Sequence, residues 1–263
     1  MNIDKQIVKF FNTFIEEAEF YSYLARSSHL QLEQCFILDE VINRATGFKL
    51  NSIKFLKEKE ANCFLGYECV IGAVRSELLM WILIKMDKPN EAWEKLVAAQ
   101  MGYLDASRAD KGFSNCRKRK EVLEGLEDKV FPSQAFVSAG FSSERIDCSI
   151  CGERYSKCVH LRGKAYMGQF CEVIHRNPRG DHIALVDSPA DKRCRIISIK
   201  KNGGYQDKLS GMITPYEDGE VYIEGGSLEA NCNILNFERY PYLTPTKKSL
   251  GDLLSILESK NKH

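Results

Sequence analysis

In the first half of the chain the apolar residues recur every three or four positions, the spacing that places them on one face of an α-helix. Ile3, Ile7, Phe10, Phe14, Ala18 and Tyr21 form one such stripe; Trp93, Leu96, Val97, Met101 and Leu104 form another. Pro89-Asn90 supplies a helix start and an N-cap for the second stripe, because asparagine can accept from the free N–H groups of a first turn. Gly47 and the stretch Asp87–Asn90 interrupt the run. The pattern predicts four or five helices up to Val130, packed as an antiparallel bundle.

After Phe131-Pro132 the period shortens. Runs rich in β-branched and aromatic residues alternate with Gly, Asn and Asp, and Ala135–Phe141, Gln169–His175, His182–Asp187, Arg195–Lys200 and Val221–Glu224 read as strands. Asn202-Gly203-Gly204 is a tight-turn signal, and Asn177-Pro178-Arg179-Gly180 reads as a turn. Leu250, Leu253, Leu254 and Leu257, behind Ser249, predict one short amphipathic helix with Ser249 and Asp252 at capping-box spacing. The expected fold is α+β: a helical bundle domain, residues 1–130, then a small β-rich domain with a C-terminal helix, residues 131–263. No internal repeat or low-complexity linker separates the halves, so they are expected to pack together.

Composition narrows the function classes. Of 263 residues, 44% are hydrophobic and 28% charged, as in an ordinary folded domain, and the net charge of +1 argues against a general polyanion binder. The longest apolar run, Leu78–Ile84, is bounded by Glu77 and Lys85 and is far short of the ~20 residues needed to span a bilayer, so no membrane association is expected. The N-terminus lacks the basic start and apolar core of a signal peptide, which makes the cytoplasm the expected compartment. Ten cysteines in a reducing compartment read as thiols and ligands rather than disulfides. Cys35, Cys63, Cys69 and Cys116 stand singly in helical surroundings, and Cys194 and Cys232 are also isolated; all six read as small buried hydrophobes.

The other four crowd into 24 residues: Cys148-x2-Cys151-Gly152, then Cys158-x-His160, then Cys171. Two thiolates in Cys-x2-Cys can bite one metal while the glycine lets the chain turn behind them. Cys158 and His160, at i and i+2 on an extended segment, point to the same side and can complete a tetrahedron. A set rich in thiolate selects zinc over hard cations. Cys148, Cys151, Cys158 and His160 are the favoured ligands; Cys171 is the reserve for either member of the second pair. Four protein ligands describe a structural site, since catalytic zinc keeps an open position.

The segment Cys148–Cys171, with Gly163, Tyr166 and Gly168 at their spacings, followed by His182-Ile-Ala-Leu-Val-Asp-Ser-Pro-Ala190, resembles a zinc-binding element of uncharacterised bacterial and phage proteins, some of them similar to phage head-maturation proteins. The resemblance covers about a fifth of the chain. It implies kinship with prokaryotic mobile-element or phage-defence proteins and carries no catalytic residue over. The long run Glu68–Lys85, followed by Glu91-Ala-Trp93 and Tyr103–Arg108, resembles the HEPN-type bundles of prokaryotic toxins and RNases. Their Arg and His partners are not matched on a helix here: Arg26 precedes His29 too closely, and Arg154–His160 and Arg176–His182 lie outside the bundle. That likeness implies an inactive, dimerising form.

Two rival chemistries remain. His175 and His182, with Asp181, Asp187, Ser188 and Asp191, offer the residue types of a hydrolase or nuclease, although Ser188 lacks nucleophile-elbow glycines. Residues 144–200 hold eleven Lys/Arg against seven Asp/Glu, and Arg117-Lys-Arg-Lys120 is a basic run, which suits nucleic acid. The plainer reading of the run is a solvated helix start with i,i+4 partners such as Arg117–Glu121. The sequence is therefore read first as a zinc-stabilised, non-enzymatic accessory protein that binds a protein partner or itself, with the hydrolase and nucleic-acid readings as alternatives.

Overall fold

The structure, a computed structural model, describes residues 4–217 and 219–260, the side chains of 259 and 260 excepted; Ile3 of the first predicted stripe lies outside them. It is α+β, as the periodicities require. Five helices come first: α1 (Lys5–Glu19), α2 (Ser28–Lys54), α3 (Glu58–Lys85), α4 (Pro89–Ala109) and α5 (Cys116–Val130). Asp4 caps α1 by accepting from the Gln6 N–H at 2.8 Å. Within α1 the fully buried ring is Phe11, which the predicted stripe omitted, while Phe10 and Phe14 are half-buried beside it. α3 is the axis of the bundle. From Phe64 to Leu83 it is buried all round, because α2 covers one side and α4 the other.

Two helix signals misled. Gly47 lies within α2 and breaks nothing: Leu38, Val41, Ile42 and Ala45 before it and Ser52 after it pack inward, and that burial outweighs the ~1 kcal/mol that a glycine costs a helix. Asn90 does not cap α4, whose N-cap is Lys88. Its side chain crosses instead to the sheet, donating to Asp207 at 2.9 Å and accepting from Arg195 at 2.5 Å.

Beyond Phe131 the longest strands are β1 (Phe136–Cys148) and β4 (Val173–Val186), an antiparallel two-stranded ribbon with a bulge at Gly140/Phe141. β1 runs seven residues past its predicted end at Phe141, which is how it delivers Cys148. The turn predicted at Asn177–Gly180 lies inside β4: Asn177 takes a left-handed φ of 47°, which asparagine tolerates, and Pro178, Arg179 and Gly180 stay in register with β1. Between the two strands lies the loop of residues 149–172, with the small hairpin β2 (Ala165–Tyr166) and β3 (Gln169–Phe170). The run predicted at Gln169–His175 is thus split by Cys171 and Glu172. A second sheet has the order β7-β6-β5-β8, from β5 (Ile196–Lys201), β6 (Gly204–Asp207), β7 (Ile213–Thr214) and β8 (Ala230–Cys232). Asn202-Gly203 makes the predicted turn between β5 and β6. Val221–Glu224 forms no strand.

The C-terminal helix is two short ones, α6 (Thr246–Leu250) and α7 (Leu253–Lys260), because Gly251 adopts a φ of 51° between them. Ser249 lies inside α6 and is no cap; its hydroxyl accepts from Lys95 Nζ at 3.0 Å and donates to the Thr244 carbonyl at 3.2 Å. Just upstream, residues 239–246 cross the bundle. Tyr242 is wholly buried against Gly72 and Gly102, where a Cβ would meet it at 2.5 and 3.0 Å. From α3, Arg75 donates to the carbonyls of Tyr242 at 2.7 Å and Thr244 at 2.8 Å, and pairs with Asp39 on α2. One apolar core runs from the helices to Phe131, Ala165, Phe170, Leu209, Tyr242, Leu250 and Leu257, so the two halves pack together.

Candidate metal centre

The ribbon places the first ligand. Cys148 ends β1, and the chain turns at once: the Gly152 N–H donates to the Cys148 carbonyl and the Cys148 N–H to the Glu153 carbonyl, each at 2.9 Å. Gly152 takes a φ of 72°, the left-handed conformation that this turn demands of it. The Ile150 N–H points at Cys148 Sγ, 3.4 Å away, and the His160 N–H at Cys158 Sγ, 3.2 Å away. Backbone dipoles therefore aim at both sulfurs, as they would at thiolates.

Cys148, Cys151, Cys158 and His160 converge, with their ligand atoms all within 4.8 Å of one another. Cys151 and Cys158 sulfurs are 3.5 Å apart; His160 Nδ1 lies 3.7 Å from Cys148 Sγ and 3.1 Å from Cys158 Sγ. A tetrahedron with Zn–S bonds of ~2.3 Å and a Zn–N bond of ~2.0–2.1 Å has edges of roughly 3.5–3.8 Å, so the first two separations fit and the third is tighter. These four side chains could hold a metal ion. Cys171 Sγ sits 3.7 Å from Cys148 Sγ and is fully buried, next to the set.

The thiols titrate apart. Burial raises Cys148, but the N–H groups of Cys151 and Ile150 and the neighbouring thiols of Cys158 and Cys171 outweigh it and bring it down to about 6. Cys158 rises to about 11 and Cys171 to about 12, in each case by burial first and then by the Cys148 sulfur.

The loop is tied to the bundle at several points. Gly168 N–H donates to Asn62 Oδ1 at 2.7 Å, and Asn62 returns a bond to the Ala165 carbonyl at 3.4 Å. The Ser149 N–H reaches the Glu172 carbonyl at 3.0 Å, while the Glu172 N–H reaches Ser149 Oγ at 2.8 Å. The Glu172 carboxylate accepts from Arg239 at 2.9 Å and Tyr240 at 3.2 Å, and Arg239 continues to Asp105 on α4 at 3.0 Å. His160 meets the Tyr166 ring edge-on at 4.6 Å.

The hydrolytic candidates are not assembled. His175 is exposed, with Nδ1 2.9 Å from Ser143 Oγ; His182 lies further along the ribbon, with Nδ1 3.0 Å from Asp181. Asp191 is engaged by Arg193, 2.7 Å away. Asp187 lines a cavity of about 630 Å³ beside Trp93, Glu127 and Pro132, and neither histidine lines it. Within the basic run, Arg119 pairs with the buried Glu77 at 2.5 Å and Lys120 with Glu124 at 2.5 Å; Arg117 turns to Ser107 rather than to Glu121.

Among the isolated cysteines, Cys35, Cys69 and Cys194 are buried and Cys63 and Cys116 half-buried, but Cys232 is exposed, because it ends the edge strand β8. Sequence reading missed the polar groups along α3. Glu68 accepts from Thr46 and Lys49, Arg75 holds the crossing segment, and Glu77 meets Arg119 and Tyr103. The available signal was ionisable residues inside an apolar run, which must find partners when buried. No protein-family model matches the chain, and neither a curated protein nor a solved structure does.

Proposed function

We propose that Cys148, Cys151, Cys158 and His160 bind one structural zinc ion, and that the protein is a zinc-stabilised, non-enzymatic interaction protein. The observation that carries the metal assignment is the convergence of three thiols and an imidazole within 4.8 Å, on a loop whose N–H groups face the sulfurs. Soft sulfur donors with one nitrogen suit zinc. Four protein ligands close the coordination sphere, which supports a structural role over a catalytic one. Binding through thiolates would displace the thiol protons, so affinity should fall as pH falls. The resemblance of the Cys148–Cys171 pattern to a zinc element of bacterial and phage proteins makes a mobile-element or phage-defence system the proposed setting, and the cytoplasm the proposed compartment.

Elemental analysis of untagged protein should find about one zinc per chain, since a tetrahedral set holds one ion. Cys151→Ser should reduce that to background. Metal-free protein on fresh purification would refute the assignment.

A further inference from the structure

Two exposed segments of this chain carry opposite charge: the cations of the first and Glu217, Glu220 and Glu224 of the second form no ion pair among the described residues, and only Glu229, at the end of the second, is taken up, by Lys200 at 2.8 Å. Between Cys148 and Cys171 the only acid is Glu153, whereas Arg154, Lys157, Arg162 and Lys164 are all exposed and make no ion pair among the described residues. The same loop exposes Val159 by 89% and Leu161 by 62%. Their orientation follows from the metal set. Cys158 is extended, and side chains alternate along an extended segment. With Cys158 and His160 turned to the site, Val159 and Leu161 face solvent.

The second segment is the complement. From Leu209 to Glu238 there is no Lys or Arg and there are six Asp/Glu. Glu217, Glu220 and Glu224 are exposed, with no ion pair among the described residues. Val221, Ile223 and Leu228 are exposed beside them, Ile223 by 71%. Val221–Glu224 has the alternation of a strand on a half-buried surface, yet it forms no ladder in the single chain. Exposed aliphatic clusters rimmed by charge mark docking surfaces.

We propose that these segments dock on each other between two copies of this chain: the metal loop of each copy receives the acidic segment, residues 219–228, of the other, in a reciprocal two-fold dimer. This rests on the interaction-protein reading above and names its partner. A nucleic acid would satisfy the cations but leave the acidic, aliphatic segment uncovered. A second copy covers both with one contact made twice, as an isologous interface requires.

The test is sedimentation of the full-length, metal-loaded chain at about 50 mM and about 500 mM salt, bracketing strong and weak screening. The expected result is a species of twice the chain mass at low salt, with dimer affinity at least about tenfold weaker at high salt. Lys157→Glu/Arg162→Glu and, separately, Glu220→Lys/Glu224→Lys should each weaken the dimer by about tenfold or more, and an equimolar mixture of the two variants should recover it. Val159→Ser, at a site with nothing to unfold, should weaken it without changing the salt dependence. A monomer at low salt would overturn the proposal, as would a dimer indifferent to both charge reversals. A loop reversal that abolishes binding of a short DNA duplex while leaving the mass unchanged would also overturn it, in favour of nucleic acid. Metal content measured on the same samples separates the readings. A metal-loaded monomer sinks only the docking, and a metal-free, salt-sensitive dimer sinks only the metal.

Discussion

Removing the Tyr242 side chain tests whether the crossing segment is part of the bundle's core. Tyr242 is fully buried between α3 and α4, and the approach of its backbone and ring to Gly72 and Gly102 leaves little room for the site to collapse. Truncating a large buried aromatic to alanine costs ~3–5 kcal/mol, and a poorly collapsing site lies at the upper end. Tyr242→Phe keeps the ring and loses only the hydroxyl, which donates to Asp105 at 3.0 Å. Asp105 keeps its pairs with Arg239 and Arg108, so the phenylalanine variant should lose about 1–2 kcal/mol. Urea unfolding followed by far-UV circular dichroism, which reports mainly the helices, reads both. If the segment belongs to the helical core, the whole helical signal shifts in the alanine variant, by several-fold more than in the phenylalanine one. A helical transition within about 1 kcal/mol of the parent would refute the reasoning, because the bundle would then stand without the residue that fills it.

If the cluster holds a metal as proposed, chelation should open the loop before the bundle, so limited trypsin digestion should first cut at Arg154 and Arg162 while α3 and α4 stay intact; simultaneous loss of both would show one cooperative unit. Native thiol labelling should reach Cys232 quickly, and Cys35 and Cys69 only after denaturation, since burial pushes both of those thiols far above the ordinary range. Rapid labelling of Cys35 or Cys69 would contradict the packing. Burial raises Asp207, but the Ser210 N–H, the Asn90 amide, the Ser210 hydroxyl and the Leu209 N–H hold its carboxyl below the usual range. A depressed folded value means that its contribution is complete above the unfolded value of 3.8 and is lost as pH falls through the folded one. Asp207→Asn should therefore cost about 1–2 kcal/mol near neutrality, with the gap in melting temperature closing in acid; a pH-independent gap would exclude the carboxylate as its source.

How far the fold was legible depends on which force set each element. Trp93, Leu96 and Val97 were readable because a helix buried on one face must repeat its apolar residues at the helical period, and all three are buried. Gly47 was misread because its local cost is small beside the packing of α2 on α3. Asn177–Gly180 was misread because a turn signal is local, whereas the register of β4 is fixed by twelve paired residues of β1. The convergence of Cys148, Cys151, Cys158 and His160 was the easiest to anticipate, since they lie close together in sequence and the chemistry of thiolates restricts the spacing of a set that could hold a metal. Val221–Glu224 carries a strand pattern with no strand in the single chain; under the docking proposal, that mismatch is where a partner belongs.

The contacts that sequence could not supply are those joining distant residues. Glu172 follows Cys171 directly, accepts from Arg239 and Tyr240, and Arg239 passes the chain of charges to Asp105 beneath Tyr242. The loop's connection to the crossing segment thus runs through one carboxylate, apart from its ties to α3 through Asn62. Glu172→Gln would keep the shape and remove the charge that Arg239 faces. A partly buried pair of this kind contributes more than the ~0–1 kcal/mol of a surface ion pair, because solvent screens it less. If the loop and the crossing segment are coupled through it, the variant should loosen both: protease sensitivity should rise at Arg162 and hydrogen exchange should accelerate at Thr244 and Thr246. Faster exchange at the loop alone would show that Glu172 serves only its own hairpin. The crossing segment would then be held by Arg75 and Tyr242 without reference to the metal.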